Sequence, residues 1–404
     1  MAPPGLRSLS PALHRFLVAT VVNMVGSAAL FGFVLIYFHE VRGIPLSQAG
    51  FAVGAMSFTM VLCTPGCGAL SDRWGARFVL SLGCIVSIVA GALYAWVTSF
   101  GMAVAVSALL GVGNALRFPA QSALLALIAT PQERPTVSAF QRAALNLGAA
   151  LGGVVGGFLV ASESLRAFQW LFAINVLSNV VFLAVLPGMP KGKVERSPDR
   201  LDVPGFRAVL RDGFYMRLLV TDVAIALGFG FLWAFTPAYA SEIGIDNATI
   251  GLLFTFGAAA VVATQIPTLR WVSGKHRMHS LAIMNLWFVG AFVVMVATPH
   301  VAVGLAIAAI ALAQVLGGFG EAVLGAVRQP LASDLAPPEL VGRYMGLSVM
   351  VFQGSMGFAN TIGGIVMDRS VSLVWWIPLI ASAAGVAGSW ALRHRIPSHV
   401  AISP

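Results

Sequence analysis

Long runs of apolar residues alternate with short polar segments along the whole chain. An α-helix needs roughly 20 apolar residues to cross the hydrocarbon core of a bilayer. Lipid offers the backbone no hydrogen-bond partners, so such runs must be helical. The pattern therefore predicts twelve membrane-spanning helices. Their predicted spans are 13–38, 47–70, 78–98, 101–130, 136–160, 167–187, 214–240, 248–271, 279–298, 301–329, 341–366 and 372–392.

Composition supports the same class of protein. Hydrophobic residues make up 58% of the chain, charged residues only 10%, and the mean hydropathy is +0.88. Soluble domains carry about 25% charged residues, so a soluble fold is excluded. The first residues lack the basic, apolar and cleavage regions of a signal peptide, and we expect the first span to be retained.

The basic residues are distributed unevenly between the two sides of the predicted membrane. Twenty of the 24 lie in the termini or at the loops after predicted helices 2, 4, 6, 8 and 10. Arg42, Arg166 and Arg369 lie at the opposite loops, and Arg117 lies inside a span. This bias predicts that both termini are cytoplasmic. The formal net charge of +9 then reflects topology, and nucleic-acid binding is not expected.

The chain divides into two similar halves. A polar, basic stretch predicts a cytoplasmic linker at 188–213, between six-helix bundles at 1–187 and 214–404. Several matches recur in order: 43–44 with 244–245 (a shift of 201), 15–18 with 217–220 (202) and 111–115 with 318–322 (207). Parallel repeats of this kind are typical of transporters whose substrate site lies between the halves, near the middle of the bilayer.

A short charged turn joins predicted helices 2 and 3. It resembles the motif that the major facilitator superfamily carries at this place, and the similarity to that family extends over essentially the whole chain. The matching residues are Gly68, Leu70, Asp72, Arg73, Gly75, Arg77 and Leu80, whereas Ser71 and Ala76 depart from the pattern.

The resemblance implies a conformational latch at this turn. In similar transporters the aspartate, here Asp72, faces the positive N-terminal end of helix 11 on the cytoplasmic side. Arg73 and Arg77 are then expected to bind carboxylates or lipid phosphates. The family often has a further aspartate near the inner end of helix 4, where this chain has Leu127. The repeat mate, Asp334, keeps the acid.

Glycines recur along predicted helix 5, at Gly148, Gly152, Gly153, Gly156 and Gly157. The spacing resembles a motif of exporters of the same family, with Gly153 in place of a proline. Glycines on one helix face let a second helix approach closely. We expect helix 8 to be that neighbour, through its small residues 257–260. Generic glycine-rich packing is the alternative.

Ionisable groups within lipid are costly and indicate function by default. Glu321 in helix 10 lies seven residues before Arg328, on the face that also holds Gln314. Helix 4 carries Asn114, Arg117 and Gln121. One interpretation is a Glu321–Arg117 pair, or a Glu321 that titrates during the transport cycle. The other is a fixed structural pair between helices 10 and 11.

Three further groups leave similar alternatives. Asp222 in helix 7, five residues after Arg217, is either a static paired residue at the inner interface or a second protonation candidate. Asn23 in helix 1 either lines the cavity or bonds to a neighbouring helix. Aromatic residues of helices 1 and 7 are candidates for a cavity wall; they are Phe31, Phe33, Tyr37, Phe231, Trp233 and Phe235.

Other chemistry is not indicated. The chain has no phosphate-binding loop of the Gly-x-x-x-x-Gly-Lys type, no cluster of His and Cys at metal-ligand spacing and no recognisable nucleophile with its base. We therefore expect neither an enzyme nor a bound metal or cofactor.

The sequence predicts an all-α, multi-pass protein of a bacterial inner membrane, functional as a monomer. We expect it to export small amphipathic organic molecules against proton entry by alternating access. Glu321 is the first candidate for the coupling acid, since burial raises a carboxyl pKa toward neutrality. The alternatives are uptake or facilitated diffusion of a metabolite, which proton movement distinguishes, and a non-transporting receptor, which binds without flux.

Overall fold

The computed structural model describes residues 10–130, 133–161, 164–190, 209–337 and 340–403. Twelve helices in these ranges are long and apolar enough to cross a membrane, which confirms the predicted number. They are α1 (Pro11–Ile36), α2 (Leu46–Trp74), α3 (Ala76–Tyr94), α4 (Phe100–Ile128), α5 (Arg134–Val160), α6 (Leu165–Val185), α7 (Gly213–Glu242), α8 (Asn247–Val272), α9 (Arg277–Ala297), α10 (Val303–Leu335), α11 (Val341–Arg369) and α12 (Trp376–Leu392).

Several helices begin at a side chain that accepts a hydrogen bond from the first turn. The hydroxyl oxygens of Ser10, Ser99 and Ser164 accept bonds from backbone N–H groups three residues later, at 3.2–3.4 Å. The Asp212 carboxylate does the same for the first turn of α7. Such caps satisfy backbone donors that a helix leaves unpaired. Ser10 and Asp212 are separated by the repeat shift of 202.

Contacts divide the chain into two compact units, the first comprising residues 1–195 and 246–255 and the second residues 196–245 and 256–404. In the first unit α1 packs along α5 and α6, α4 along α2 and α3, and α3 along α6. In the second unit α7 packs along α11 and α12, and α9 along α10 and α12. Four of the five pairs in the first unit have their counterpart in the second, as expected of duplicated halves. Of the predicted linker, 191–208 lies outside the described residues.

The repeat is also visible in the backbone. Among the described residues, glycines with positive φ occur at four turns: Gly43 at +66°, Gly244 at +84°, Gly75 at +91° and Gly274 at +72°. The first two end corresponding turns after α1 and α7, and the other two follow α2 and α8. Only glycine adopts such angles without strain, so the two halves share their turn chemistry.

Candidate functional site

The second unit contains a buried ion pair between α7 and α10. Arg328 Nε lies 2.8 Å from Asp222 Oδ1, and the two side chains are 8% and 3% exposed. Asp222 is therefore paired, as one interpretation of the sequence holds, although the sequence had indicated no specific partner. The structure also corrects the charge count, which placed Arg328 with the inner loops. Instead it lies buried within α10.

Arg328 also reaches α11. Its Nη2 donates to the Ser348 hydroxyl at 2.7 Å and to the Ser348 carbonyl at 3.3 Å. The guanidinium carbon lies 5.1 Å from the centre of the Phe352 ring, close enough for a cation–π interaction. One cation thus joins α7, α10 and α11, and its contacts depend on the charge of Asp222.

The first unit has a neutral pair at the equivalent crossing. Adding the repeat shifts of 202 and 207 to Thr20 and Gln121 gives Asp222 and Arg328. Gln121 Nε2 donates to Thr20 Oγ1 at 3.5 Å, between α4 and α1. Thr20 itself donates to the Phe16 carbonyl at 2.9 Å. Thr20 was not among the sequence-predicted site residues, but the two repeat shifts identify it as the counterpart of Asp222.

One turn away, α4 carries a buried cation. Arg117 is 7% exposed, and its Nη2 donates to the Asn23 side-chain oxygen of α1. Gly83 of α3 makes room for it, since a Cβ there would lie 2.6 Å from Arg117 Cγ. Arg117 Nε and Asn23 Nδ2 are buried and have no hydrogen-bond partner in the structure. Asn23 therefore bonds to a neighbouring helix and retains an unused donor.

The other polar residues of the predicted stripes lie nearby along the same helices. Asn114 is buried on α4 and its Nδ2 lies 3.8 Å from Met56 Sδ of α2. Gln314 is buried on α10 with its amide nitrogen unpartnered. Glu321 is half-buried and lies two helical turns before Arg328 on α10. A contact between Glu321 and Arg117 stays a prediction, as does titration of Glu321.

The glycines of α5 serve two helix contacts. Gly148, Gly152 and Gly156 face α1, where added Cβ atoms would lie 2.5–2.8 Å from α1 atoms. Gly157 faces the first turns of α8, where a Cβ would lie 2.5 Å from the Asn247 carbonyl and 2.6 Å from Gly251 Cα. Gly153 faces the same turns, with a Cβ 2.9 Å from Phe254 Cβ.

The expected neighbour, α8, thus contacts α5 through its first turns. A contact of α5 with residues 257–260 stays a prediction. Gly257 and Ala260 lie against α10, because a Cβ at Gly318 would approach the Gly257 carbonyl at 2.6 Å and Ala260 Cβ at 2.8 Å. Residues 257 and 260 lie one and a half turns or more beyond Gly251, so they belong to a different stretch of the helix.

The motif between α2 and α3 is described only in part. Gly75 ends α2 and begins α3 at φ +91°, and its N–H donates to the Ser71 carbonyl at 2.9 Å. Arg77 Nη1 donates to the Pro187 and Met189 carbonyls beyond α6, at 3.1 and 2.7 Å. Arg77 thus binds backbone oxygens, and its expected binding to carboxylates or lipid phosphates stays a prediction. Arg73 is exposed.

The latch itself stays a prediction. Three parts of this region are not described: the surroundings of Gly68, the Asp72 side chain, and residues 338–339 before α11. The second unit keeps an ion pair near the corresponding turn: Arg277 Nη2 lies 2.6 Å from Asp334 Oδ2. Its mate in the first unit, Leu127, is exposed and apolar.

The aromatic residues do not form the expected cavity wall as a set. Phe33, Tyr37, Phe231 and Phe235 are fully buried inside their own units. Tyr37 donates to the Tyr94 carbonyl at 2.8 Å. Residues two apart on a helix point about 200° apart, so Phe31 and Phe33 cannot share a face, nor can Trp233 and its neighbours at 231 and 235.

One carboxylate outside the spans has a clear structural role. Asp246 precedes α8, and its two oxygens accept bonds from the Thr249 backbone N–H at 2.9 Å and from the Thr249 hydroxyl at 2.6 Å. The Thr249 hydroxyl, and then its N–H, hold the pKa of Asp246 below the usual range.

Comparisons with known proteins agree with this architecture. The sequence profile of the Major Facilitator Superfamily matches residues 16–239 and 218–404. Uncharacterized MFS-type transporter YqjV of Bacillus subtilis is 23% identical over 90% of this chain and 88% of its own length. Multidrug resistance protein MdtH of Cronobacter sakazakii is 24% identical over 89% and 87%.

Solved structures show the same fold. A D-xylose-proton symporter aligns with a TM-score of 0.75 and 17% identity, over 94% of this chain and 96% of its own. The nucleoside transporter NupG aligns with a TM-score of 0.75 and 11% identity, over 94% and 99%. At these identities the likeness establishes the fold alone.

Proposed function

Because this chain belongs to the Major Facilitator Superfamily, we propose that it exports small amphipathic organic molecules from a bacterial cell in exchange for protons. Membership in the family makes it a multi-pass transporter of the inner membrane, with no enzymatic activity. The direction, the coupling ion and the substrate class are the proposal.

The Asp222–Arg328 pair carries the proposal. A carboxylate inside a membrane-spanning core is costly unless it is paired. A proton that binds an Asp222 oxygen would neutralise the carboxylate, and Arg328, which stays charged, would then keep only its Ser348 and Phe352 contacts. Two protonation states would thus give two arrangements of α7, α10 and α11, which is what coupling requires.

Export of amphipathic compounds is supported by the names of the relatives. Proteins named multidrug resistance proteins match about nine-tenths of this chain, including one from Bacillus subtilis at 23% identity. The glycine face of α5, which resembles an exporter motif, packs closely on both α1 and α8. Both observations favour export over uptake.

A pH gradient across proteoliposomes tests the coupling. The purified protein is reconstituted with a pH-sensitive dye inside, and flux is measured for cationic, neutral and anionic fluorescent compounds. We expect Asp222→Asn to abolish uphill transport while it leaves exchange of compound across the membrane. Glu133→Gln, which changes a carboxylate in the loop between α4 and α5, is the matched control and should keep uphill transport.

Glu321→Gln separates the two candidate acids. If Glu321 carries the proton, this variant alone loses uphill transport and Asp222→Asn keeps it, and the assignment to Asp222 is then wrong. Saturable flux without proton movement in the native protein would instead indicate facilitated diffusion. Binding without any flux would indicate a receptor.

A further inference from the structure

Arg117 is a buried cation of the first unit. Its hydrogen-bond acceptor is the neutral amide oxygen of Asn23. Among the described residues of the first unit, no carboxylate lies within ion-pairing distance of Arg117. A guanidinium has five donors and no acceptor, and here Nε remains buried and unused.

The polar side chains beside Arg117 are neutral. Asn23 Nδ2 is buried and unpartnered, while the amide of Gln121 points to the Thr20 hydroxyl. The absence of a side chain at Gly83 lets the Arg117 stem pack directly against α3. Among the described residues the Cys84 thiol, a weak acceptor, also interacts electrostatically with Arg117. The cluster of Arg117 and Asn23 therefore holds two buried N–H donors, Arg117 Nε and Asn23 Nδ2, that have no hydrogen-bond partner among the described residues.

In the second unit the buried cation Arg328 is paired with a carboxylate. There Asp222 lies against Arg328 at 2.8 Å. The corresponding position in the first unit is Thr20, which is neutral. Arg117 itself corresponds to Leu324 by the shift of 207 and Asn23 to Ile225 by the shift of 202, so the buried cation beside a neutral asparagine is a feature of the first unit that its repeat does not share.

We propose that Arg117 and Asn23 form a subsite for the anionic group of the substrate, and that the transported amphipathic molecules carry a carboxylate. The inference rests on the proposed transport function and narrows its substrate class. Arg117 Nε and Asn23 Nδ2 would donate to the two carboxylate oxygens, since a planar guanidinium suits a carboxylate. The apolar body of the molecule would remain outside this polar cluster.

Equilibrium binding tests the subsite without any gradient. The native protein in nanodiscs is titrated with three probes that share one aromatic body: pyrenebutyrate, pyrenebutanol and pyrenebutylammonium. A charge-assisted hydrogen bond predicts that the carboxylate binds about ten- to hundredfold more tightly than the alcohol. Arg117→Gln should remove this difference, and Arg117→Lys should keep part of it.

Asn23→Asp is the second variant. It places a carboxylate beside the intact Arg117, as Asp222 stands beside Arg328, and should abolish the preference for pyrenebutyrate without loss of thermal stability. Equal binding of the three probes by the native protein would overturn the proposal. A preference for pyrenebutyrate that survives Arg117→Gln would also overturn it. So would a preference that the native protein lacks and that emerges only in Glu321→Gln. Because binding is measured without a gradient, failure of proton coupling would leave this result intact.

Discussion

Replacement of the Asp222–Arg328 pair by its own repeat mate is the most informative perturbation that the structure offers. Asp222→Thr and Arg328→Gln together would copy the Thr20–Gln121 pair of the first unit. Each single substitution leaves the other partner buried, and both side chains are less than a tenth exposed. The three variants form a double-mutant cycle in one helix crossing.

The magnitude follows from burial and distance. Arg328 Nε and Asp222 Oδ1 lie 2.8 Å apart and are shielded from solvent. Removal of one partner therefore leaves an uncompensated buried charge, which should lower the free energy of unfolding by about 3–5 kcal/mol. In Asp222→Thr the Ser348 hydroxyl still accepts from Arg328 at 2.7 Å, so the loss should lie at the lower end. The double variant restores neutrality, and a neutral hydrogen bond contributes about 0.5–1.5 kcal/mol.

Thermal denaturation of the purified proteins in one detergent measures the cycle. We expect both single variants to denature well below the native protein and the double variant to recover most of the difference. The double variant should nevertheless lose uphill transport, because it has no titratable group at this place. If it denatures as early as the weaker single variant, the two side chains are not energetically coupled and the reasoning fails.

Three further predictions concern helix contacts and turns, each checked by thermal stability. Gly157→Val should destabilise the first unit by about 1–3 kcal/mol, because its Cβ would clash with the α8 backbone. Gly101→Ala is the control and should not destabilise, because its Cβ would lie in open space. Equal effects of the two substitutions would refute the close contact between α5 and α8. Gly75→Ala should lower the free energy of unfolding by about 1–3 kcal/mol, because residues with a side chain rarely adopt φ +91° with ψ 144°. An unchanged stability would refute this backbone conformation. Asp246→Ala should cost about 0.5–2 kcal/mol at pH 7 as a lost cap. The pKa of Asp246 is lower in the folded protein. The stabilisation by Asp246 is therefore complete above its unfolded pKa of about 3.9 and is lost as the pH falls through the lower folded pKa. A difference in stability between the native protein and Asp246→Ala that persists below the folded pKa would contradict this prediction.

The helical architecture could be predicted because it depends on local properties. Apolar runs of spanning length admit only helices in lipid, and the shifts of 201, 202 and 207 follow from the duplication of the chain. The turn at Gly75 was predictable for the same reason, since its φ is a property of one residue. The glycine face of α5 and its approach to α8 also follow from composition and spacing.

The partners of the buried polar groups could not be predicted in the same way. Periodicity tells which residues share a face of one helix, but not which neighbour that face meets. Phe33 and Phe235, for example, were candidates for a cavity wall, and in the structure both are fully buried. Arg77 donates to backbone oxygens beyond α6, a contact that the motif between α2 and α3 did not indicate.

The sequence by itself determined the class of protein, the number of helices and the twofold repeat, because hydrophobic length and internal similarity are written along one chain. Only the tertiary structure decided that Asp222 meets Arg328 and that Arg117 meets a neutral asparagine. Those contacts join helices about one hundred residues apart, and helix packing, which depends on side-chain shape across several helices at once, brings them together.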